Sequence, residues 1–236
     1  MNLWLENSKS MFTKKLEIAC FNLQSALIAQ ENGADRVELC AEINLGGTTP
    51  SIEIIQQAKA HLSIDVYVMI RPRGGNFVNS KEEFQQMKSE IEAIKKLAVN
   101  GFVFGILNDD NSVNIEQNSE LVNLAKPIPC TFHRAFDEVD NYKTALEDVI
   151  SCGFSTMLTS GTFPNVMEGK EVLKELVLQA NNRITIMPGG GLRSKNIKEL
   201  DKLVNANFYH SSAITDGTET ANHEEIIQLK KKISNS

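Results

Sequence analysis

Seven polar residues interrupt short runs that packing alone would make apolar: Glu17 in LEIAC, Glu38 in RVELC, Arg71 directly after VYVMI, Thr131 and His133 in CTFHR, and His210 and Ser212 in FYHSS. Within each run they fall at alternate positions, so if the runs are strands of one sheet these side chains share a face. A buried polar group is costly unless it is paired, and Val, Leu and Ile would fill the same space. Two carboxylates, a guanidinium and two imidazoles on one face could bind a ligand and move protons. Repulsion between Glu17 and Glu38 would raise one carboxyl and leave the other ionised, with His133 completing a general acid–base set. The structural alternative pairs Glu17 or Glu38 with Arg71 in a buried network that only fixes the fold.

A second cluster suits an anion. Met187-Pro188-Gly189-Gly190-Gly191 leads through Leu192-Arg193-Ser194 into a predicted helix, which would leave backbone N–H groups free at a helix start. His210-Ser211-Ser212-Ala213 closes the last β-rich run with small residues. Gly189, Gly190, Gly191, His210 and Ser212 would then hold a phosphate or carboxylate, with Arg71 orienting it. A plain tight turn is the competing reading of the glycines.

Cys20 and Cys40 end successive runs, which places them on one rim of adjacent strands roughly 5 Å apart. Two thiolates there could hold a soft ion such as Cu(I); a packed, inert pair is the alternative. Parity complicates the pairing. If Glu17 faces inward, Cys20 points outward unless its strand has already ended, whereas Glu38 and Cys40 share a face. Cys130 and Cys152 read as core, and without HExxH or paired CxxC the sequence offers no zinc motif.

The elements that must position these residues follow from periodicity. Eight β-rich runs (16–20, 36–40, 66–70, 102–107, 130–134, 156–160, 184–188 and 208–212) alternate with eight amphipathic helical stretches near 23–32, 51–61, 81–98, 115–125, 142–151, 168–180, 195–204 and 222–233. Strict βα alternation without a composition break predicts a parallel sheet closed into a single (βα)8 TIM barrel over 16–236, preceded by an extension at 1–15. Its chemistry would sit at the carboxyl ends of the strands. Gly33, Gly101 and Gly153, each between a helix and the next strand, read as left-handed helix ends. Phe77 and Val78 in the polar loop RGGNFVNS suggest a covered surface, hence a homo-oligomer.

With 236 residues, 42% hydrophobic and 23% charged, the chain can bury one large core. A net charge of −6 without a basic, aromatic-interleaved patch excludes the footprint of a nucleic-acid binder. No apolar stretch approaches membrane-spanning length and the start lacks a signal-peptide core, so a cytoplasmic, membrane-free protein with reduced cysteines is expected. Met11 could serve as an alternative start to Met1.

Taken in order, LEIAC, NGADRVELC, GGTTPS, VMIRPRGG, FVFGIL, TFHRAFD, LTSG and IMPGGG closely resemble the CutC family of copper homeostasis proteins, over about Leu16 to Ala213. The resemblance implies a βα barrel, a cytoplasmic location, oligomers and a Cu(I) role for Cys20 and Cys40. Three positions depart from the family's charged pattern: Asn22 stands where an Asp is expected, Leu45 where an acidic residue is usual, and Ile214 where an Arg often follows Ser-Ala. Three functions remain open: Cu(I) binding through Cys20 and Cys40; an enzyme on a small phosphorylated or carboxylated molecule, using Glu17, Glu38 or His133 for proton transfer; or a small-molecule sensor with the same pocket.

Overall fold

The computed structural model describes residues 13–234. The chain alternates without exception through β1 (Lys15–Cys20), α1 (Leu23–Glu31), β2 (Arg36–Leu39), α2 (Ile52–His61), β3 (Asp65–Met69), α3 (Lys81–Lys95), β4 (Gly101–Phe104) and α4 (Ile115–Ala125). It continues through β5 (Cys130–Phe132), α5 (Tyr142–Ser151), β6 (Thr156–Thr159), α6 (Lys170–Ala180), β7 (Thr185–Pro188), α7 (Ile197–Val204), β8 (Phe208–Ser211) and α8 (His223–Ser234). Every ladder is parallel, in the order β7-β6-β5-β4-β3-β2-β1-β8, and β8 comes back beside β7 to make the expected (βα)8 barrel. Among the described residues no backbone ladder joins β7 to β8. Pro188 has no N–H to give, and the Gly189 N–H is taken by the Thr159 carbonyl of β6 at 3.0 Å.

Alternation sorts the side chains. Leu16, Ile18 and Cys20, Val37 and Leu39, Val66 and Val68, and Phe102 and Phe104 point out into the core shared with the helices, where each buried Val, Leu, Ile or Phe contributes about 1.5–3 kcal/mol. The other parity (Glu17, Arg36, Glu38, Cys40, Tyr67, Met69, Arg71) points inward. Lys14 pairs with the buried Asp201 of α7 at 2.6 Å, so the ordered barrel takes in the last residues of the expected 1–15 extension. The rest of that extension, with Met1 and Met11, lies outside the described residues.

Two of the three expected helix-end glycines behave as predicted, Gly33 and Gly153 both having φ of 91°. Gly101 does not. It lies inside β4, where a Cβ would intrude into the Tyr67 ring of β3. The reason for glycine there is space for an aromatic ring inside the barrel rather than a left-handed turn. Asn22, where a charge was expected, caps α1 by accepting the Ser25 N–H at 2.8 Å, a task that an amide performs as well as a carboxylate.

Gly101→Ala should therefore destabilise the barrel by about 1–3 kcal/mol through overpacking, measured as a lower urea midpoint. Combined with Tyr67→Leu, the loss should be smaller than the sum of the two single losses. Strict additivity would contradict the steric account.

Candidate functional site

At the centre of the barrel Glu17 is fully buried, and both of its oxygens are engaged. Oε2 receives the Nε–H of Arg36 from β2 in a short charged contact, and Oε1 receives Nδ1 of His210 from β8 at 2.7 Å. Arg36 is itself clamped between the Tyr67 and Phe208 rings, 3.8 and 4.2 Å from their centroids, an arrangement that suits a desolvated guanidinium. Register brings these groups together, since Glu17 pairs across the sheet with Arg36 on one side and His210 on the other.

One step towards the carboxyl ends lies a cavity of about 240 Å³. Its floor carries Glu38, Cys40 and His210. The Cys40 thiol donates to Glu38 Oε2 at 3.6 Å, and His210 Nε2 lies 3.9 Å from the same oxygen. Glu38 Oε1 is buried without a partner. Glu17, Glu38 and His210 each place a ligand atom within 4.8 Å of the others, a potential cation site.

The cavity's mouth is formed by Arg71, Arg134, Arg193, Phe77, His133, Gly190 and Gly191. Arg71 donates from Nη1 to the carbonyls of Leu45 and Gly47, each at 2.9 Å, and from Nη2 to that of Gly75 at 2.7 Å. It thus ties the loop after β2 to the loop after β3. Arg193 is held by the Leu192 and Ile214 carbonyls and the Ser211 and Ser212 hydroxyls. Arg134 is set by Asp137, whose carboxylate also takes the Thr159 hydroxyl and the backbone N–H and hydroxyl of Ser160. TFHRAFD and LTSG are therefore two halves of one hydrogen-bonded corner that aims Arg134 at Gly190.

Burial opposes charge throughout the floor, and partners decide the outcome. Glu17 would be raised by burial, but Arg36 and His210 hold it below the usual carboxylate range. Glu38 is raised by burial, with His210 only partly offsetting this and Glu17 adding to it. Burial and the Glu38 carboxylate push the Cys40 thiol well up. His210 would be lowered by burial, but its bond to Glu17 and the field of Glu38 raise it. His133 goes the other way: burial, reinforced by the Arg71 cation, lowers it to about 3. Its Nδ1 accepts the Ala135 N–H at 3.2 Å, so the ring is neutral with its proton on Nε2.

The structure brings Glu38, Cys40, Arg71, His133, His210, Ser212, Gly190 and Gly191 to one cavity. Glu17 lies beneath it as the group that orients His210. The supposed pairing of Arg71 with Glu17 or Glu38 does not form, because Arg36 neutralises Glu17 and Arg71 serves backbone carbonyls. Arg36 shares the parity of Glu38, and that signal was available in RVELC. Gly189 packs against Leu158 and His210, while α7 begins only at Ile197 and the Glu225 carboxylate takes the Ser194 N–H and hydroxyl. The Ser194 end of the anticipated helix-start anion site is thus filled from within the chain, while Gly190 and Gly191 remain on the cavity wall. Cys20 does not reach the cavity: β1 runs through it, its side chain joins the outer core and its thiol donates to the Ile18 carbonyl at 3.4 Å. Phe77 packs on its own chain, 4.8 Å from the His133 ring and 4.8 Å from the Arg71 guanidinium, which removes it as an argument for an oligomer. Leu45 and Ile214, where charges were expected, meet the mouth through their carbonyls, which accept from Arg71 and Arg193.

Comparison with known proteins places these residues in context. Residues 14–215 match the CutC family. The chain is 41% identical over 198 residues to the human protein named copper homeostasis protein cutC homolog, covering 84% of this chain and 72% of that one. It is 44% identical over 199 residues to a family protein CutC of Parabacteroides distasonis, covering 84% and 82% respectively. The crystal structure of CutC from Streptococcus agalactiae superposes with a TM-score of 0.81 at 33% identity, covering 86% of this chain and all of that one. Phosphoribosylanthranilate isomerase of Thermotoga maritima, at a TM-score of 0.62 and 18% identity over 94% of this chain, shares the fold.

Arg36→Met should strand the buried Glu17 charge and cost about 3–5 kcal/mol in urea unfolding, much of it recovered in Arg36→Met with Glu17→Gln. For His133, a folded pKa below the unfolded value of 6.5 means that the unfolded chain binds the extra proton. Its contribution to stability is present above pH 6.5 and is lost as pH falls towards about 3. His133→Gln should accordingly flatten the acid limb of the stability curve, and the His133 ring should show no NMR titration between pH 8 and 5. A midpoint near 6.5 would contradict the buried, neutral assignment.

Proposed function

The chain belongs to the CutC family, and from that premise we propose that it serves copper homeostasis by holding a cuprous ion on the inner wall of the barrel, at Cys40 and His210 with Glu38 between them. The names of its relatives support the role. One observation carries the site: Cys40 Sγ and His210 Nε2 lie 3.6 and 3.9 Å from the same Glu38 oxygen. A thiolate and an imidazole are donors that Cu(I) accepts. Glu17 fixes His210 through Nδ1 and leaves Nε2 facing the cavity, as carboxylates behind metal-bound histidines commonly do. Met69 brings a second soft sulfur to the same wall, since its Cε and the Cys40 Sγ border one position above Gly47, at 3.7 and 3.5 Å.

The donor set fits a monovalent cation. Burial raises both the Glu38 carboxyl and the Cys40 thiol, which favours their protonated forms, and a bound cation would take the place of a proton. The pair Cys20 and Cys40, implied by the family resemblance, fits less well, because the Cys20 thiol turns into the helix layer.

A second reading is acid–base chemistry on a small organic molecule, with Glu38 exchanging the proton and His210 beside it. The unpartnered Glu38 Oε1 on a cavity wall favours it, and a small-molecule sensor would use the same walls. A cytoplasmic location belongs to the proposal and is consistent with four free cysteines. No helix among the described residues is long and apolar enough to cross a membrane.

Cu(I) competition against a chromophoric chelator tests the site. Cys40→Ser and His210→Ala should each weaken Cu(I) by roughly 10- to 100-fold, while Cys20→Ser leaves it unchanged with the fold intact. Loss of affinity in Cys20→Ser and none in His210→Ala would overturn the assignment.

A further inference from the structure

Three guanidinium groups ring the cavity mouth, and they differ in what neutralises them. Arg134 has Asp137 at 2.7 Å. Arg71 and Arg193 have no carboxylate within ion-pair distance among the described residues. Their partners are carbonyls and hydroxyls, which orient a cation without cancelling its charge. Arg71 is only 8% exposed, and its Nε has no acceptor. A desolvated cation in that state is held at a cost that an anion would relieve.

The two uncompensated cations stand on opposite walls. Arg71 follows β3 and Arg193 follows β7, four places apart in an eight-stranded order. Beside Arg193, Gly190 and Gly191 line the cavity, and among the described residues neither backbone N–H has an acceptor. A Cβ on Gly190 would approach the Arg134 guanidinium and Ser160 at 3.0 and 3.1 Å, so glycine keeps this wall open for close approach. The cavity's 240 Å³ lies near the lower end of the range of small-molecule sites, a size that suits a small metabolite.

We propose that the mouth binds a small organic acid bearing two acidic groups, one held by Arg193 with the Gly190 and Gly191 N–H groups and the other by Arg71, so that the molecule spans the barrel above Glu38 and His210. Arg71 keeps its Nε–H and one Nη2–H for a bidentate contact, and Arg193 keeps its Nε–H beside the two glycine N–H groups. Carboxylate and phosphate accept such donors alike, and both chemistries are covered by the class. The site uses none of the three proposed copper donors, so it stands whether or not Cu(I) binds beneath it.

Calorimetric titration of the metal-free protein at fixed ionic strength, with succinate, phosphoglycolate, inorganic phosphate and acetate as probes, tests the inference. Saturable binding of succinate or phosphoglycolate at least tenfold tighter than acetate is expected. NMR shifts should appear at the Gly190 and Gly191 amides, and affinity should fall at least tenfold in Arg193→Gln. Tightest binding by inorganic phosphate would replace the two-headed ligand with a single anion subsite and so overturn the proposal. Equal, non-saturating responses to all four probes would overturn the site altogether. Should Arg193→Gln fold poorly, Arg193→Lys and the wild-type amide shifts decide: shifts confined to residues remote from the cavity contradict the assignment. Retained dianion affinity alongside lost Cu(I) affinity in Cys40→Ser separates this inference from the copper reading.

Discussion

A carboxylate buried at the centre of a barrel must be neutralised where it stands, and Glu17 sets that requirement for this fold. Arg36 meets half of it and His210 the other half. The two partners come from the strands on either side of β1, so the register of three strands and the position of one imidazole are fixed together. Arg36 in turn needs the Tyr67 and Phe208 faces, and Tyr67 needs the space that Gly101 leaves. The chain of dependence runs from one charge to a bare position on a strand three places away. It ends at His210 Nε2, pinned beside Glu38 and facing open volume.

Two electrostatic regimes follow along the barrel axis. The floor concentrates groups whose pKa values are raised: Glu38 and Cys40 by burial, His210 by its bond to Glu17 and the field of Glu38. The mouth presents guanidinium groups whose charge the protein itself leaves partly unmatched. A barrel filled for stability alone would need neither, because apolar layers pack without desolvating charge. The corner built by Asp137, Thr159 and Ser160, and the tie that Arg71 makes between two loops, hold the mouth in shape and link sequence motifs far apart in the chain.

Much of this was legible from the residues. Period-two alternation located the eight strands and placed Glu38, His133 and His210 on the inner face. For Cys20 the same parity gave only a conditional objection to the pairing with Cys40, which the structure upholds because β1 runs through Cys20. Arg36 escaped notice because it opens its strand, where a charge ordinarily signals a solvated end, although its parity with Glu38 pointed inward; cross-strand register with Glu17 shows what it pairs with. Arg134 and Arg193 lie beyond the strand ends, where parity says nothing and hydrogen bonds to distant loops set direction. Gly101 looked like a helix end because position in the chain carries no information about the ring stacked on it. Phe77 looked exposed because its cover, His133 and Arg71, comes from β5 and the end of β3.

The central claim is that the reactive floor is a mixed site on the inner wall, in which Cys40 acts with an imidazole rather than with a second thiol. X-ray absorption at the copper edge of the Cu(I)-loaded protein reads the donor atoms directly. The account predicts a nitrogen neighbour from His210 together with the Cys40 sulfur, and loss of the nitrogen contribution in His210→Ala. Two thiolate sulfurs with no nitrogen, unchanged in His210→Ala and abolished in Cys20→Ser, would contradict it.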